Sequence, residues 1–354
     1  MRRLFFVCIA AIVPLLAGCG SFGYYLQSID GQMTLLQARR PIARVIADPA
    51  TPPPLKAKLE RVLEIRDFAS RELQLPDNLS YRSYADLERP FVVWNVYAAA
   101  EFAVEPREWC FLVVGCVAYR GYFAQAGGEA YARELRAEGF DVFVSGVPAY
   151  STLGWFDDPV LNTFVNYPEH ALSRLIFHEL AHQVVYLKGD SEFNESFATA
   201  VETEGVRRWI ARNGDARMRA EFEISQQRRA QFRALVFQYR ERLAALYRLP
   251  IAVDEMRARK AQAFSGMQQD YARLKSQWGG FAGYDRFFDH PGNAHLASVA
   301  IYTGLAPQFQ RLIAKHHGDL AAFYAEVKEL AALGRAERAA RLAAAVAPPR
   351  REPL

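Results

Sequence analysis

The chain has 354 residues, 51% hydrophobic and 23% charged, with a formal net charge of +4. It is too apolar for disorder and long enough for a sizeable core, and it lacks the concentrated basic segment that nucleic-acid binding requires. Four cysteines (Cys8, Cys19, Cys110, Cys116) exclude a disulfide-framework mini-protein. No apolar run beyond the N-terminus reaches about 18 residues, which excludes a polytopic membrane protein.

Arg2 and Arg3 precede an apolar stretch from Leu4 to Leu16 that is too short to span a bilayer and fits a signal peptide. Leu16-Ala17-Gly18-Cys19 follows and resembles the bacterial lipobox. That resemblance implies cleavage before Cys19 and lipidation of its thiol. Gly20, in place of an aspartate, favours the outer membrane over the inner. Removing residues 1–18 takes away two arginines and no acids, leaving a net charge of +2. The expected protein is periplasmic and membrane-bound through its lipid. Cys110 and Cys116 remain, as either a disulfide closing a short loop, which an oxidising compartment favours, or two buried thiols.

The patterning predicts amphipathic helices over 25–47 and 55–75, separated by a Pro-rich break. Strands are predicted at 90–99 and 110–119, a helix at about 124–138, and a third strand at 141–147. The segment to 168 reads as irregular. Almost everything from 169 onward reads as helix, including two long helices at 215–248 and 252–278 that suggest an antiparallel hairpin. Two or three further helices follow a Gly-rich break at 279–292. The expected class is helix-dominated α+β, with a small sheet in the N-terminal half. Residues 1–18 are the signal, 19–212 carry the α/β part and the site helices, 213–346 complete the same domain, and 347–354 form a disordered tail.

The chemistry centres on His178-Glu179-Leu-Ala-His182. Residues four apart share a helix face, so both histidines can reach one metal ion. Glu179 lies about 100° round the helix, within reach of a metal-bound water without ligating. Apolar flanks predict a buried helix, where two histidines and a glutamate are costly unless paired or metallated. Catalytic zinc takes a third protein ligand. Gly189 and Asp190 break the helix, Ser191 can cap the next, and Asn194-Glu195-Ser-Phe-Ala198 follows, with Glu202 seven residues on from Glu195 and on the same face.

These two elements resemble the gluzincins, zinc metallopeptidases in which a His-Glu-x-x-His helix precedes a helix carrying Asn-Glu. The resemblance implies His178, His182 and Glu195 as zinc ligands, Glu179 as general base, and Glu202 as the residue that orients a histidine. The spacing from His182 to Glu195 is 13, shorter than the family's usual gap, while Glu202 stands at 20, the more familiar distance. Glu202 is therefore the alternative ligand. Across residues 15–330 the chain also resembles a family of bacterial lipoproteins described as predicted aminopeptidases. That likeness rests on the lipobox, Ser80-Tyr81-Arg82-Ser83-Tyr84-Ala85-Asp86, Trp109-Cys110, the stretch from Gly115 to Tyr122, and the stretch from Pro148 to Pro159.

The implied activity is zinc-dependent hydrolysis of peptide bonds in the cell envelope, with a peptide as substrate. The oxyanion needs a second electrophile, for which Tyr302, His295, Tyr150 and Arg120 are the candidates. The helix of Glu195 and the acidic pair Asp157-Asp158 are possible holders of a substrate amino group. His290 lies in a turn before a helix that Asn293 could cap, and His316 and His317 suit a helix C-terminus. The alternative function is a catalytically silent envelope lipoprotein that binds metal or peptide. The intact Glu179 argues against it.

Overall fold

The computed structural model describes residues 19–111 and 115–344, with the side chains of 19–22 and 302–303 excepted. The signal segment 1–18, the tail 347–354 and the side chains of Cys19 and Tyr302 lie outside the described residues. The fold is helix-dominated α+β, the class the patterning predicts.

The first predicted helix is interrupted. α1 (Cys19–Gln37) stops ahead of a short strand β1 (Arg40–Pro41), and α2 (Ile42–Ala47) restarts the helix. Pro41 lacks an amide proton and disfavours helix at the residue before it, which accounts for the break. α3 (Pro53–Leu73) begins at two prolines, where missing N–H groups cost nothing.

β1 pairs with β2 (Ser83–Ala85), which pairs in parallel with β8 (Val160–Leu161). A second sheet has the order β6-β3-β7, built from β3 (Val93–Ala99), β6 (Arg120–Tyr122) and β7 (Asp141–Val147), all antiparallel neighbours. The single strand expected over 110–119 is instead a hairpin of β4 (Trp109–Phe111) and β5 (Gly115–Val117). Gly115, at φ +79°, opens β5 opposite Phe111. Cys110 and Cys116 face each other in register and form a disulfide. α4 (Gln125–Ala137) packs on one face of the β6-β3-β7 sheet.

The site lies in the helical layer. α5 (Glu169–Ala181) packs along α6 (Ser191–Asn213), and Gly205 permits the approach, since a Cβ there would meet Phe177 and Leu73 at 2.7 Å. α6 is buried nearly all round, as expected of a helix with apolar residues on every side. Asp190, rather than Ser191, caps it, accepting a hydrogen bond from the Phe193 amide at 3.0 Å.

α7 (Ala216–Leu246) and α8 (Val253–Gln277) form the antiparallel hairpin. Arg228 and Gln231 reach Trp278, while Tyr239 bonds Asp270. Their apolar faces close on each other within the chain, through Leu235, Tyr239, Leu243, Met267 and Tyr271. The Gly-rich break contains a one-turn helix, α9 (Asp285–Phe288). Four helices then follow where two or three were expected: α10 (Asn293–Thr303), α11 (Ala306–Lys315), α12 (Leu320–Ala332) and α13 (Arg335–Ala344). Gly292, not Asn293, precedes α10. The Asn293 side-chain Nδ2 instead donates to the carbonyls of Ala100 and Glu101.

Candidate metal centre

His178 lies in the last turn of α5 and His182 one residue beyond it, still in helical conformation. Four residues of separation on one face bring the two Nε2 atoms to 3.3 Å. α6 supplies Glu195, whose Oε2 stands 3.2 Å from His178 Nε2 and 3.7 Å from His182 Nε2. The three ligand atoms converge on one point and could hold a metal ion. The residue before the glutamate has its own task. Asn194 clamps the loop between the helices, donating to the Leu187 carbonyl at 2.8 Å and accepting from the Leu187 amide at 2.7 Å. Arg338 of α13 pairs with Asp190 at 2.7 Å, fixing the start of α6 from the far end of the chain.

Glu202 approaches His178 from the opposite side of the ring. Its Oε2 lies 2.9 Å from Nδ1, the nitrogen turned away from the cluster. Its other oxygen accepts from Arg229 of α7 at 3.0 Å and lies 3.6 Å from Arg174. The long hairpin thus contributes a charge to the site. Burial would raise the Glu202 carboxyl, but Arg174 and Arg229 overcome it and hold the group well below the usual range. Burial likewise acts to raise Glu195, yet the charge of His182 and the hydrogen bonds of both histidines bring it down to about 2. Burial acts to lower His178, and its bonds to Glu195 and Glu202 carry it up to about 10.

Glu179 faces a different environment. Burial raises its carboxyl, and the nearby His178 and His182 only moderate that. Asp158, 4% exposed, is pushed up to about 7 by burial, with its bonds from Thr152 opposing and the charge of Glu179 reinforcing. Tyr81 is also buried, its phenol oxygen has no hydrogen-bond partner, and the charges of Glu179 and Asp158 both act on it. Its φ of +62° is rare for a bulky residue. Surrounding bonds enforce it. The wholly buried Arg66 of α3 donates to the Ser80 carbonyl at 2.9 Å and the Asn78 carbonyl at 3.1 Å, and the Tyr81 amide donates to the Asp158 carbonyl at 2.6 Å. Gln183, beside His182, ties in through Asn78 at 2.7 Å and Ser80 at 3.2 Å.

The proposed electrophiles have other engagements. Tyr150 donates to Gln32 of α1. The Arg120 guanidinium lies over the rings of Tyr24 and Tyr131, at 4.2 and 4.5 Å from their centroids. His295 stacks on Phe143 and accepts from the Gly292 amide at 3.1 Å, and burial pulls it down to about 3, leaving it neutral. His316 pairs with Glu326 at 2.5 Å, a structural contact, and His290 is exposed.

Sequence reasoning did not single out Tyr119. Its pKa is raised well above its usual value, by burial first and then by Glu195 and Glu179 among other charges. It follows the disulfide hairpin directly, and that hairpin presses on the loop after His182: a Cβ on Gly115 would meet the Gly189 amide at 2.8 Å. The position just ahead of β6 and three residues after Cys116 was the available signal.

Two histidines on one helix, a glutamate from the next and a half-buried carboxylate beside them define a class: a helix-dominated protein with three donors that could hold a metal ion, next to a potential proton acceptor. Residues 23–342 match the model of the family described as "Putative aminopeptidase", and the chain belongs to that family. No curated protein and no solved structure matches the chain.

Proposed function

We propose that this protein is a zinc-dependent aminopeptidase of the bacterial cell envelope, anchored through lipid on Cys19. The carrying observation is the triangle of His178 Nε2, His182 Nε2 and Glu195 Oε2, with edges of 3.2, 3.3 and 3.7 Å. Ligands at about 2.0–2.1 Å on a tetrahedral zinc stand roughly 3.3 Å apart, so the donor set has the size and chemistry of such a site. His182 Nδ1, buried without a partner, completes a ring with Nε2 turned to the cluster. Family membership supports peptidase activity independently.

Bound there, zinc would polarise the scissile carbonyl and acidify a water. Glu179 accepts the proton of the attacking water and delivers it to the leaving amine. Its raised pKa suits that exchange. Glu202 fixes the His178 ring through Nδ1, a contact that favours Glu195 over Glu202 as the third ligand. Tyr119 is our choice for the hydrogen bond to the developing oxyanion. Asp158, a buried carboxyl whose hydrogen bonds come from Thr152, is our choice to receive the substrate's free amino group.

The test pairs elemental analysis with hydrolysis of short peptides carrying free or acetylated N-termini. One zinc per chain and cleavage of the free peptides alone support the reading. A zinc-free chain of full activity, or equal cleavage of acetylated peptides, overturns the metal or the exopeptidase part respectively.

A further inference from the structure

Exposed large apolar side chains are unevenly distributed over the molecule. Among the described residues eleven are exposed, and four of these, Tyr25, Leu26, Ile29 and Met33, fall within nine residues of α1. Trp155 and Phe156 add two more, in the loop that α1 touches. Arg39 donates to the Asp157 carbonyl at 2.7 Å, and Tyr150 bonds Gln32, so this loop lies along the flank of α1. Trp155 is 75% exposed and Ile29 61%.

The opposite face of α1 is fixed to the body. Gln27 accepts from the Phe123 amide at 3.0 Å, Tyr24 stacks on Phe111, Gly31 lies against Phe123, and Leu35 enters the core. Leu26, Ile29 and Met33 then recur at three- and four-residue steps on the outward side. The stripe is held outward by the fold, and nothing in the described chain covers it.

We propose that this surface, the outer stripe of α1 with Trp155 and Phe156, rests in the interfacial region of a lipid bilayer. The proposal uses the anchor reading for Cys19 and extends it. α1 begins at Cys19 itself, so no spare chain separates a lipidated Cys19 from the folded body. A helix leaving the membrane at its first residue must run along or out of the bilayer surface, and this one carries its apolar stripe from the seventh residue on. An apolar helix face laid on the bilayer adds buried area to whatever the anchor supplies and fixes how the body is turned toward the surface. Tryptophan at a loop tip suits the headgroup level, where its ring is apolar on the faces and polar at the N–H. Gly154 adjoins the side chain of Gln183, next to His182. Seating the loop in lipid therefore sets the candidate metal centre close above the bilayer.

The test uses the whole chain from residue 19 onward with Cys19→Ser, which carries no lipid, and vesicles of phosphatidylethanolamine and phosphatidylglycerol. Sedimentation is expected to bring the protein down with the vesicles. The triple variant L26D/I29D/M33D is expected to lower the partition at least about tenfold, with unchanged thermal unfolding and unchanged hydrolysis of soluble peptides. Trp155→Ala is expected to weaken binding by a smaller factor. Wild type remaining in the supernatant, or a triple variant that binds as well as wild type, overturns the proposal. So does a concentration-dependent dimer that the triple variant abolishes without any vesicle binding, because the face would then be a self-interface. The mass of Cys19 in protein isolated from its membrane tests the anchor separately, and an unmodified thiol there would leave the vesicle result standing.

Discussion

The two sides of the His178–Glu179 turn are built on opposite electrostatic principles. On one side Glu195 and Glu202 are matched by two histidines and by Arg174 and Arg229, and both carboxyls stay ionised despite burial. On the other side desolvation outweighs the opposing charges at Glu179, Asp158 and Tyr81, and all three hold their protons more tightly than usual. Buried charge persists only where partners replace water. The matched side can hold a fixed arrangement of donors, and the unmatched side can exchange protons.

The largest expected effect comes from the unmatched side. Glu179→Gln should reduce hydrolysis by about 10²–10⁴-fold with metal content unchanged, as read by turnover and elemental analysis on the same sample. Retained activity would remove Glu179 from the chemistry. On the matched side, Glu195→Ala should abolish stoichiometric metal binding, whereas Glu202→Ala should weaken it by about 10–100-fold, measured by competition with a chelating dye. The reverse order would exchange the two glutamates' roles.

Tyr119→Phe tests whether that phenol, which feels the charge of Glu195, serves the reaction. A fall in kcat of about 10–100-fold with KM and zinc preserved is expected, and an unchanged kcat would reduce the residue to packing.

The smallest effect is a pH dependence of stability. The folded Asp158 keeps its proton up to about 7, while the unfolded chain releases it near 3.8. The folded state therefore binds more protons through that window, and Asp158 costs stability increasingly as pH rises. Asp158→Asn should match wild type below about pH 4 and exceed it by about 1–3 kcal/mol above pH 7, by chemical denaturation. A constant difference across that range would mean that Asp158 does not titrate as its burial dictates.

Much of the donor set was legible because its spacing is local. Four residues on a helix fix a shared face, so His178 and His182 had to converge if the helix formed. Glu195 and Glu202 were both candidates, since seven residues on a helix place them on one face as well. Their separation came from which nitrogen of His178 each one meets, and that depends on how α5 and α6 pack. The four electrophile candidates illustrate the opposite case. Tyr150, Arg120 and His295 were chosen by residue type, and packing gave each a structural partner, whereas Tyr119 had no local pattern to distinguish it from other tyrosines. Arg229 could not be paired with Glu202 in advance either, because 27 residues and a helix reversal separate them.

By itself the sequence determined the helix-dominated class, the His178–His182 face, the Asp141–Val147 strand and the paired long helices. Each follows from periodicity over a few turns or from the conformational limits of proline and glycine. Only the tertiary structure decided which glutamate joins the histidines, why Tyr81 is held strained beside Glu179, and which face of α1 stays uncovered. Those outcomes depend on burial and on partners distant in sequence, and the free energy of a buried charge is set by what replaces its water.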